Sequence, residues 1–273
     1  TSPASLAAGR CAYAASYSEG GSSKVQHLFD GNTATKAGSA IYGQTLTKAS
    51  LNIDASTFIN NKSGTSDNQG TITLTTSDRN TFQYTSITNS TFLDNSGSAI
   101  ISAGMNAVSP AINIANVTMV ANGLTKYGIF AAPSDTISYR IAVTNSIILG
   151  NSTADLRSGG YKTANTIAYF TVNNSIYGTA DNTAVRDHHT LPVQFTDSYQ
   201  VTDIASVFHT DNYDTETGKV ILNADGRTID VNNLSDMLNS GLTENEYAVI
   251  YTPTGYSFTV IPDENGYAIL DPY

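Results

Sequence analysis

Three carboxylate side chains lie close together between positions 211 and 216. They belong to Asp211, Asp214 and Glu216, and carboxylate oxygens are the ligands that calcium prefers in proteins. Their spacing does not follow the EF-hand loop. A solvated acidic turn is therefore the first interpretation and a calcium site is the alternative. No other cofactor is predicted.

Basic residues near carboxylates form a second candidate group. Arg140, Arg157 and Lys162 lie near Asp155 and Asp181 in the sequence. A polysaccharide lyase needs calcium-binding carboxylates and a base that removes a proton, and a glycoside hydrolase needs two carboxyl groups. No lyase motif surrounds these residues, and the chain has no Asp-Asp pair. They are interpreted as solvated charges in turns, and no catalytic residue is predicted.

The remaining reactive side chains are few. His188 and His189 form the only histidine pair, but adjacent residues of a strand point to opposite faces and chelate a metal poorly. An exposed loop is the favoured interpretation. Cys11 is the single cysteine, so the chain has no intrachain disulfide framework, and this thiol is predicted to be inert.

Tyrosines supply the only candidates for a ligand-binding surface. The chain has 16 Tyr and no Trp, although stacking platforms for sugars often use Trp. Near the C-terminus, Tyr247, Tyr251, Tyr256 and Tyr267 lie on or beside predicted strands. They are candidate binding residues, with half-buried packing residues as the alternative interpretation.

The charge composition disfavours two kinds of partner. The formal net charge is −10, with only 13 Lys and Arg residues, whereas binding of nucleic acid needs clustered cations. No apolar run is long enough to span a bilayer and no basic amphipathic stretch is present. We therefore predict no nucleic-acid partner and no direct membrane insertion of this segment.

A repeat of about 30 residues runs through the first two thirds of the chain. Five stretches, beginning at Leu51, Thr85, Ile112, Ile141 and Phe170, align without a gap. Each holds a large apolar anchor, and a second apolar residue precedes the anchor by five positions, which is the alternation of a half-buried strand. The anchors are Phe58, Phe92, Met119, Ile148 and Tyr177; the residues five positions earlier are Ile53, Ile87, Ile114, Val143 and Val172.

Asparagines recur on both sides of the anchor. Asn accepts left-handed backbone conformations and bonds to nearby backbone, so it suits a corner between strands. Stacked Asn side chains can also bond to the coils above and below. Three positions before the anchor stand Asn89, Asn116, Asn145 and Asn174, and three positions after it stand Asn61, Asn95, Asn122 and Asn151. The repeat therefore predicts an all-β protein, a right-handed parallel β-helix (solenoid) with terminal capping segments.

Two short motifs carry a family resemblance. Gly38-Ser39-Ala40-Ile41 and Gly97-Ser98-Ala99-Ile100 resemble a GGAI-like tetrapeptide, and the segments 29–32, 58–61 and 92–95 match FxxN. The chain is similar in these motifs to the chlamydial polymorphic outer-membrane protein repeats and to exported bacterial β-helix proteins that carry the same coils. The resemblance covers roughly residues 25 to 180, which is the part of the chain that carries the repeat. It implies a secreted or surface-exposed module, often adhesive, and no catalytic residue.

The organisation predicted from these patterns has three parts. Residues 1–24 are an N-terminal cap or leading coil, 25–230 the parallel β-helix, and 231–273 a C-terminal cap or small β-subdomain. The stretch Val207 to Asp230 resembles the degenerate final coil of exported β-helix proteins. The chain begins at Thr1 without a signal peptide, so it is expected to be a mature or trimmed part of a larger multidomain protein.

Three functions remain open at this point. The favoured one is a non-catalytic extracellular or cell-surface module with adhesin-like binding of a glycan or a protein receptor. A divergent polysaccharide lyase or glycoside hydrolase on the same fold is the alternative, because fold alone does not settle function. A structural spacer is the second alternative.

Overall fold

The structure is a computed structural model that describes part of the chain. The described residues are 14–19, 22–44, 50–67, 69–76, 84–105, 111–131, 139–159, 168–182, 193–224, 229, 249–251, 257–262 and 268–272. Apart from two 3₁₀ turns, Ile204–Ser206 and Thr210–Asn212, the secondary structure in these ranges is β-strand. Within them, no helix has the length and apolar character needed to cross a membrane.

Three parallel sheets run along the repeat region, and each coil contributes one strand to each sheet. The first strand, β1 (Ala14–Glu19), pairs antiparallel with β2 (Ser22–Asp30). The strands that follow are β3 (Ile41–Gln44), β4 (Ser50–Asp54), β5 (Thr57–Ile59), β6 (Gly70–Thr76), β7 (Tyr84–Thr88), β8 (Thr91–Leu93), β9 (Gly97–Met105), β10 (Ala111–Ala115), β11 (Thr118–Val120), β12 (Thr125–Ala131), β13 (Tyr139–Thr144), β14 (Ile147–Leu149), β15 (Ala154–Ser158), β16 (Ala168–Asn173), β17 (Ile176–Tyr177), β18 (Ala180–Asp181), β19 (Val193–Thr196) and β20 (Tyr199–Gln200).

Every third strand belongs to the same sheet. Sheet A contains β4, β7, β10, β13, β16 and β19, and sheet C contains β3, β6, β9, β12, β15 and β18. Sheet B contains β2, β5, β8, β11, β14, β17 and β20, with β1 added at its N-terminal edge. This order is that of a parallel β-solenoid, so the predicted β-helix is confirmed.

The anchor residues lie above one another in sheet B. Phe92 pairs with Phe58 on one side and with Met119 on the other. The column continues through Ile148 to Tyr177. The Phe58 and Phe92 rings are stacked with centroids 4.5 Å apart. Because each apolar anchor covers the next, stacking buries a core that one coil could not bury alone.

Sheet A supplies the facing side of this core. Ile87, Ile114 and Val143 are fully buried in the cluster that also holds the anchors. The strands alternate, so that Asn113, between two buried isoleucines of β10, is only partly buried. Strands of period two with one apolar side therefore explain why this segment forms sheets rather than helices.

The corner between sheets A and B is two residues long in every coil. Its first residue has a positive φ between 45° and 59°, which L-residues other than Asn, Asp and Gly rarely adopt. The repeated Asn matches this requirement. Ala55 is the exception, and it adopts the left-handed φ at a steric cost. The corner residues are Ala55, Asn89, Asn116, Asn145, Asn174 and Asp197.

A serine ladder follows this corner and was missed in the sequence. The hydroxyl of Ser90 accepts a bond from the Ser56 N–H at 3.1 Å and donates to the Thr88 carbonyl at 2.7 Å. Ser146, Ser175 and Ser198 make the same pair of bonds in later coils. The signal that could have revealed the ladder is Ser at two positions before the anchor, with Val117 as the exception.

The exception at 117 gives a stability prediction. Val117 is buried and cannot accept a bond from the Ser90 N–H. In Val117→Thr the new hydroxyl should take the place that serine occupies elsewhere in the ladder, so urea unfolding should show a free energy within about 0.5 kcal/mol of wild type. Val143→Thr is the control, because a hydroxyl buried there without a partner should cost about 1–3 kcal/mol. Equal losses in the two variants would contradict the ladder.

A second ladder lies inside the corner between sheets B and C. The backbone N–H and Nδ2 of Asn61 both donate to Oδ1 of Asn95, at 3.1 and 2.9 Å. Asn32 donates to Asn61 in the same way. The predicted ladder does not continue through Asn122 and Asn151. Asn122 adopts φ +47° and bonds outward, and Asn151 bonds within its own coil. An extra residue in the corner 121–124 shifts Asn122 away from the ladder position.

The stretch after β20 adds no strand to the three parallel sheets in its described residues, and a degenerate final coil over 207–230 stays a prediction. This stretch makes the two 3₁₀ turns and an antiparallel hairpin of β21 (Tyr213–Asp214) and β22 (Lys219–Val220). We call residues 201–222 the strap. Val207, Phe208 and Val220 of the strap are buried in one cluster with residues of sheet B that face away from the core, including Leu93, Val120 and Leu149.

The strap is needed because sheet B is apolar on both sides. The residue after each anchor points outward, and it is apolar in four coils. Leaving these side chains in water would cost about 25 cal/mol per Å² of apolar surface. The amide of Asn122 fixes the strap by donating to the Val220 carbonyl and accepting from the Val220 N–H, both at 2.9 Å.

A further set of strands lies near the C-terminus. β23 (Val249–Tyr251), β24 (Ser257–Pro262) and β25 (Ala268–Pro272) form an antiparallel sheet in that order. Strands in this region were predicted from the sequence, beside the candidate tyrosines. The proposed division of the chain at residues 24 and 230 stays a prediction.

Candidate functional site

A cluster of aromatic and charged side chains lies on the outer face of sheet C. Neighbouring strands align Phe130 of β12 with Arg157 of β15, and Arg157 with Asp181 of β18. Each of the three is the last or next-to-last residue of its strand. The cluster therefore lies at the edge of sheet C where the chain leaves for the next coil.

The guanidinium of Arg157 is the centre of this cluster. Its Cζ atom lies 4.5 Å from the ring centroid of Tyr127 and 5.5 Å from that of Phe130, which are cation–π distances. Nη1 donates a hydrogen bond to the Tyr127 hydroxyl. Nε lies 3.8 Å from Oδ2 of Asp181, an ion pair but too long for a hydrogen bond.

Burial divides the cluster into a base and a rim. Tyr127 and Phe130 are each 5% exposed, whereas the side chains of Arg157 and Asp181 are 23% and 24% exposed. The Arg157 Nε is buried and has no hydrogen-bond partner. The rings therefore hold the guanidinium in place, and the charged groups are what a partner can contact.

A local irregularity of β12 brings the two rings to the same face. Tyr127 and Phe130 are three residues apart, so strict alternation would place them on opposite faces. Gly128 and Ile129 both face inward, however: a Cβ on Gly128 would come within 2.7 Å of Ile148 Cγ2, and Ile129 is part of the core. Glycine at 128 is required by this close approach.

Asp155, a lyase candidate in the sequence, faces away from the cluster. It is 2% exposed and lies inside the stack, where its carboxylate accepts bonds from Asn151, Gly178 and Thr179. Burial raises the pKa of the Asp155 carboxyl, and these hydrogen bonds oppose the rise only in part. The structure therefore brings Arg157 and Asp181 together and leaves Asp155 out.

The acidic residues of the strap form a turn. Oδ1 of Asp214 accepts from the Glu216 N–H at 2.9 Å, and Thr217 donates its hydroxyl to Oδ2. These bonds lower the pKa of Asp214, chiefly through Thr217. Asp211 instead lies 3.3 Å from His209 Nδ1. In the described part of the chain, no three His, Cys, Asp or Glu side chains are placed to hold a metal ion. Calcium binding stays the untested alternative to a solvated acidic turn.

Other sequence candidates are distributed away from the cluster or outside the described residues. Arg140 is exposed on sheet A. Tyr251 is the last residue of β23. Those outside the described residues are Cys11, Lys162, His188, His189, Tyr247, Tyr256 and Tyr267.

The cluster presents hydrogen-bond donors and acceptors at the surface. The partly exposed guanidinium offers donors in a fixed plane and the partly exposed carboxylate offers acceptors, a pair that suits hydroxyl or amide groups. Sequence reasoning named Arg157 and Asp181 but missed Tyr127 and Phe130, because the irregularity at Gly128 hides their common face.

No family model matches the chain, and no curated protein and no solved structure was found to be similar to it.

Proposed function

We propose that the chain is a non-catalytic surface module that binds a glycan or a protein partner in the manner of an adhesin. The observation that carries the proposal is the unequal variation of the three corners. The corner between sheets A and B keeps one length, whereas the other two connections of each coil vary. Those from sheet B to sheet C change from 60–69 to 178–179 along the stack, and those from sheet C to sheet A are 45–49, 77–83, 106–110, 132–138, 159–167 and 182–192.

Connections of variable length suit recognition. A rigid scaffold that carries variable connections at one edge can change what it binds without changing its core. All the connections from sheet C to sheet A start from the same edge of sheet C, and the cluster around Arg157 lies at that edge. The polar corner ladders meanwhile hold the coils in fixed register.

The family resemblance supports an extracellular or cell-surface location for this module. Each element of its motifs has a structural role in the coil: Gly38 and Gly97 adopt positive φ, Phe58 and Phe92 belong to the anchor column, and the Asn of FxxN forms the inner ladder. The similarity to chlamydial polymorphic outer-membrane protein repeats therefore concerns the coil itself. The partner of this chain is a separate question, which binding experiments answer.

The experiment compares two arginines. Wild type is applied to a glycan array and to host-cell surfaces, together with Arg157→Ala and Arg140→Ala. Arg157→Ala should weaken binding about tenfold or more, as for the loss of a central interface residue. Arg140→Ala removes an exposed arginine on sheet A and should bind as wild type does. Thermal unfolding of each variant separates a lost contact from a lost fold.

The same samples test the alternatives. If wild type binds nothing and cleaves a polysaccharide, the surface-module proposal is wrong and the lyase or hydrolase alternative gains support. If it neither binds nor cleaves, the spacer alternative is favoured. Equal binding by all three proteins would place recognition away from the Arg157 edge.

A further inference from the structure

One side-chain amide connects the strap to the stack. Nδ2 of Asn122 donates to Oδ1 of Asp94 at 2.6 Å and to the Val220 carbonyl at 2.9 Å, and its Oδ1 accepts from the Val220 N–H at 2.9 Å. We call these bonds the latch. Both partners of the NH2 group are oxygen atoms of a carboxylate or a carbonyl, which only accept. The latch therefore needs an amide nitrogen with both of its hydrogens at this position.

The residue that follows makes this amide chemically labile. Asn122 is followed by Gly123, and glycine has no Cβ to hinder the approach of its own nitrogen to the preceding side chain. Gly123 is exposed and Asn122 is partly exposed, so solvent reaches both. The amide of such a pair can become a carboxylate without an enzyme. The other Asn-Gly pair, Asn265-Gly266, lies outside the described residues.

The closed strap protects the amide from this reaction. The Gly123 N–H donates to the Gly150 carbonyl at 2.7 Å, and the latch holds the side chain of Asn122. The nitrogen of Gly123 can attack the amide carbon only when both sets of bonds are open. Local opening of exposed segments occurs in folded proteins, and it is in the opened molecules that the amide can react.

We propose that Asn122 is a site of spontaneous deamidation, and that its conversion makes the release of the strap permanent. The nitrogen of Gly123 attacks Cγ of Asn122, the Cγ–Nδ2 bond breaks, and ammonia leaves with the proton of the Gly123 N–H. A water molecule then opens the cyclic imide and gives aspartate or isoaspartate, with release of the carboxyl proton. No group is oxidised or reduced.

The product cannot rebuild the latch. A carboxylate at position 122 carries no hydrogen, so it faces the Asp94 carboxylate and the Val220 carbonyl as an acceptor against two acceptors. Among the described residues, no Lys, Arg or His side chain forms an ion pair with Asp94, and the two like charges repel each other. Isoaspartate also adds a carbon to the main chain at a residue whose φ is +47°. Both products therefore oppose closure of the strap.

Release of the strap changes the surface of the molecule. The outer side chains of sheet B, among them Leu93 and Val120, pack against Val207 and Phe208 of the strap. Without the strap they form a contiguous apolar patch, the kind of surface that associates with other molecules. Deamidation of one residue thus converts a covered face into an exposed one.

The first measurement follows the conversion. Folded wild type, wild type unfolded in urea, and folded Gly123→Asn are kept at mildly alkaline pH, and mass spectrometry follows the peptide that contains position 122. Asn accepts the φ of +77° at position 123 and brings a Cβ, so this variant should convert much more slowly than wild type. Folded wild type should convert, but more slowly than the unfolded chain.

Two outcomes of this measurement would overturn the proposal. One is an unchanged amide in folded wild type after the unfolded chain has converted completely, because the closed strap would then never give access to the reaction. The other is conversion of Gly123→Asn at the rate of wild type, because the nitrogen of residue 123 would then not be the attacking group.

Hydrogen exchange tests the consequence with a matched pair of variants. Asn122→Asp reproduces one product of the reaction. Asn60→Asp makes the same change in an earlier coil, where the exposed Asn60 amide donates to the Asp30 carboxylate at 3.3 Å. Exchange of the strap amides between Val207 and Val220 should be about tenfold faster or more in Asn122→Asp, and should stay at the wild-type rate in Asn60→Asp.

Aged wild type supplies the same readout without a substitution. Faster exchange of the strap should appear in its converted fraction and not in its unconverted fraction. Wild-type exchange in both the converted fraction and Asn122→Asp would overturn the release of the strap. Equal acceleration in Asn122→Asp and Asn60→Asp would also overturn it, because added charge rather than loss of the latch would then be the cause.

Discussion

Replacing Ile114 by Asp should prevent the chain from folding in soluble form. Ile114 is fully buried in the core and pairs with Ile87 on one side and Val143 on the other. A carboxylate placed there has neither water nor a cation, and the cost of several kcal/mol compares with a total stability of about 5–15 kcal/mol. The measurement is the soluble yield together with circular dichroism of whatever protein remains soluble.

The neighbouring residue provides the control. Asn113→Asp introduces the same side chain one position earlier in β10, where it is only partly buried. Because successive residues of a strand face opposite sides, this variant should fold and unfold at nearly the wild-type temperature. If the two variants behave alike, the assignment of strand faces in sheet A is wrong.

The stack could be predicted from the sequence because its contacts repeat. An anchor such as Phe92 meets the same kind of residue above and below it, so the period alone aligns the column. The Asn corners were predicted for the same reason: Asn89 and Asn116 meet one backbone requirement, a left-handed φ, in successive coils. Local chemistry and long-range packing agree at these positions, and each supports the other.

The contacts that do not repeat were missed. The strap meets sheet B through side chains such as Leu93 and Val120, and the hydrogen bond between Asn122 and Val220 joins residues 98 positions apart. The signal was present, since an apolar residue follows the anchor in four coils and leaves an outer face to be covered. What the pattern could not supply was the identity of the segment that covers it.

Only part of the candidate site could be predicted from the sequence, for a related reason. The connection from sheet B to sheet C changes length from 60–69 to 178–179 along the stack, so the repeat does not fix the register of sheet C. Arg157 and Asp181 drew attention through their charges. Their pairing, and the rings of Tyr127 and Phe130 beneath the guanidinium, depend on a register that only the structure provides.

Asn95 should prove as sensitive as the apolar core, although it is polar. It is completely buried, its Oδ1 accepts two bonds from Asn61, and its Nδ2 donates to the Phe58 carbonyl at 2.9 Å. Asn95→Ala removes one bond from each of these three groups of the preceding coil, and the Asn61 amide keeps only its bond to the Phe29 carbonyl. Each buried group should contribute roughly 1 kcal/mol or more, so the free energy of unfolding measured in urea should fall by about 3 kcal/mol.

A second asparagine in the same corner separates this effect from the loss of any amide. Asn60 is exposed and has φ +56°, and its side-chain amide donates to the Asp30 carboxylate at 3.3 Å. Asn60→Gly keeps the left-handed conformation accessible and removes only a solvent-exposed bond, so its free energy of unfolding should stay within about 0.5 kcal/mol of wild type. A small loss in Asn95→Ala as well would mean that water replaces the amide, and the inner corner would then be open to solvent.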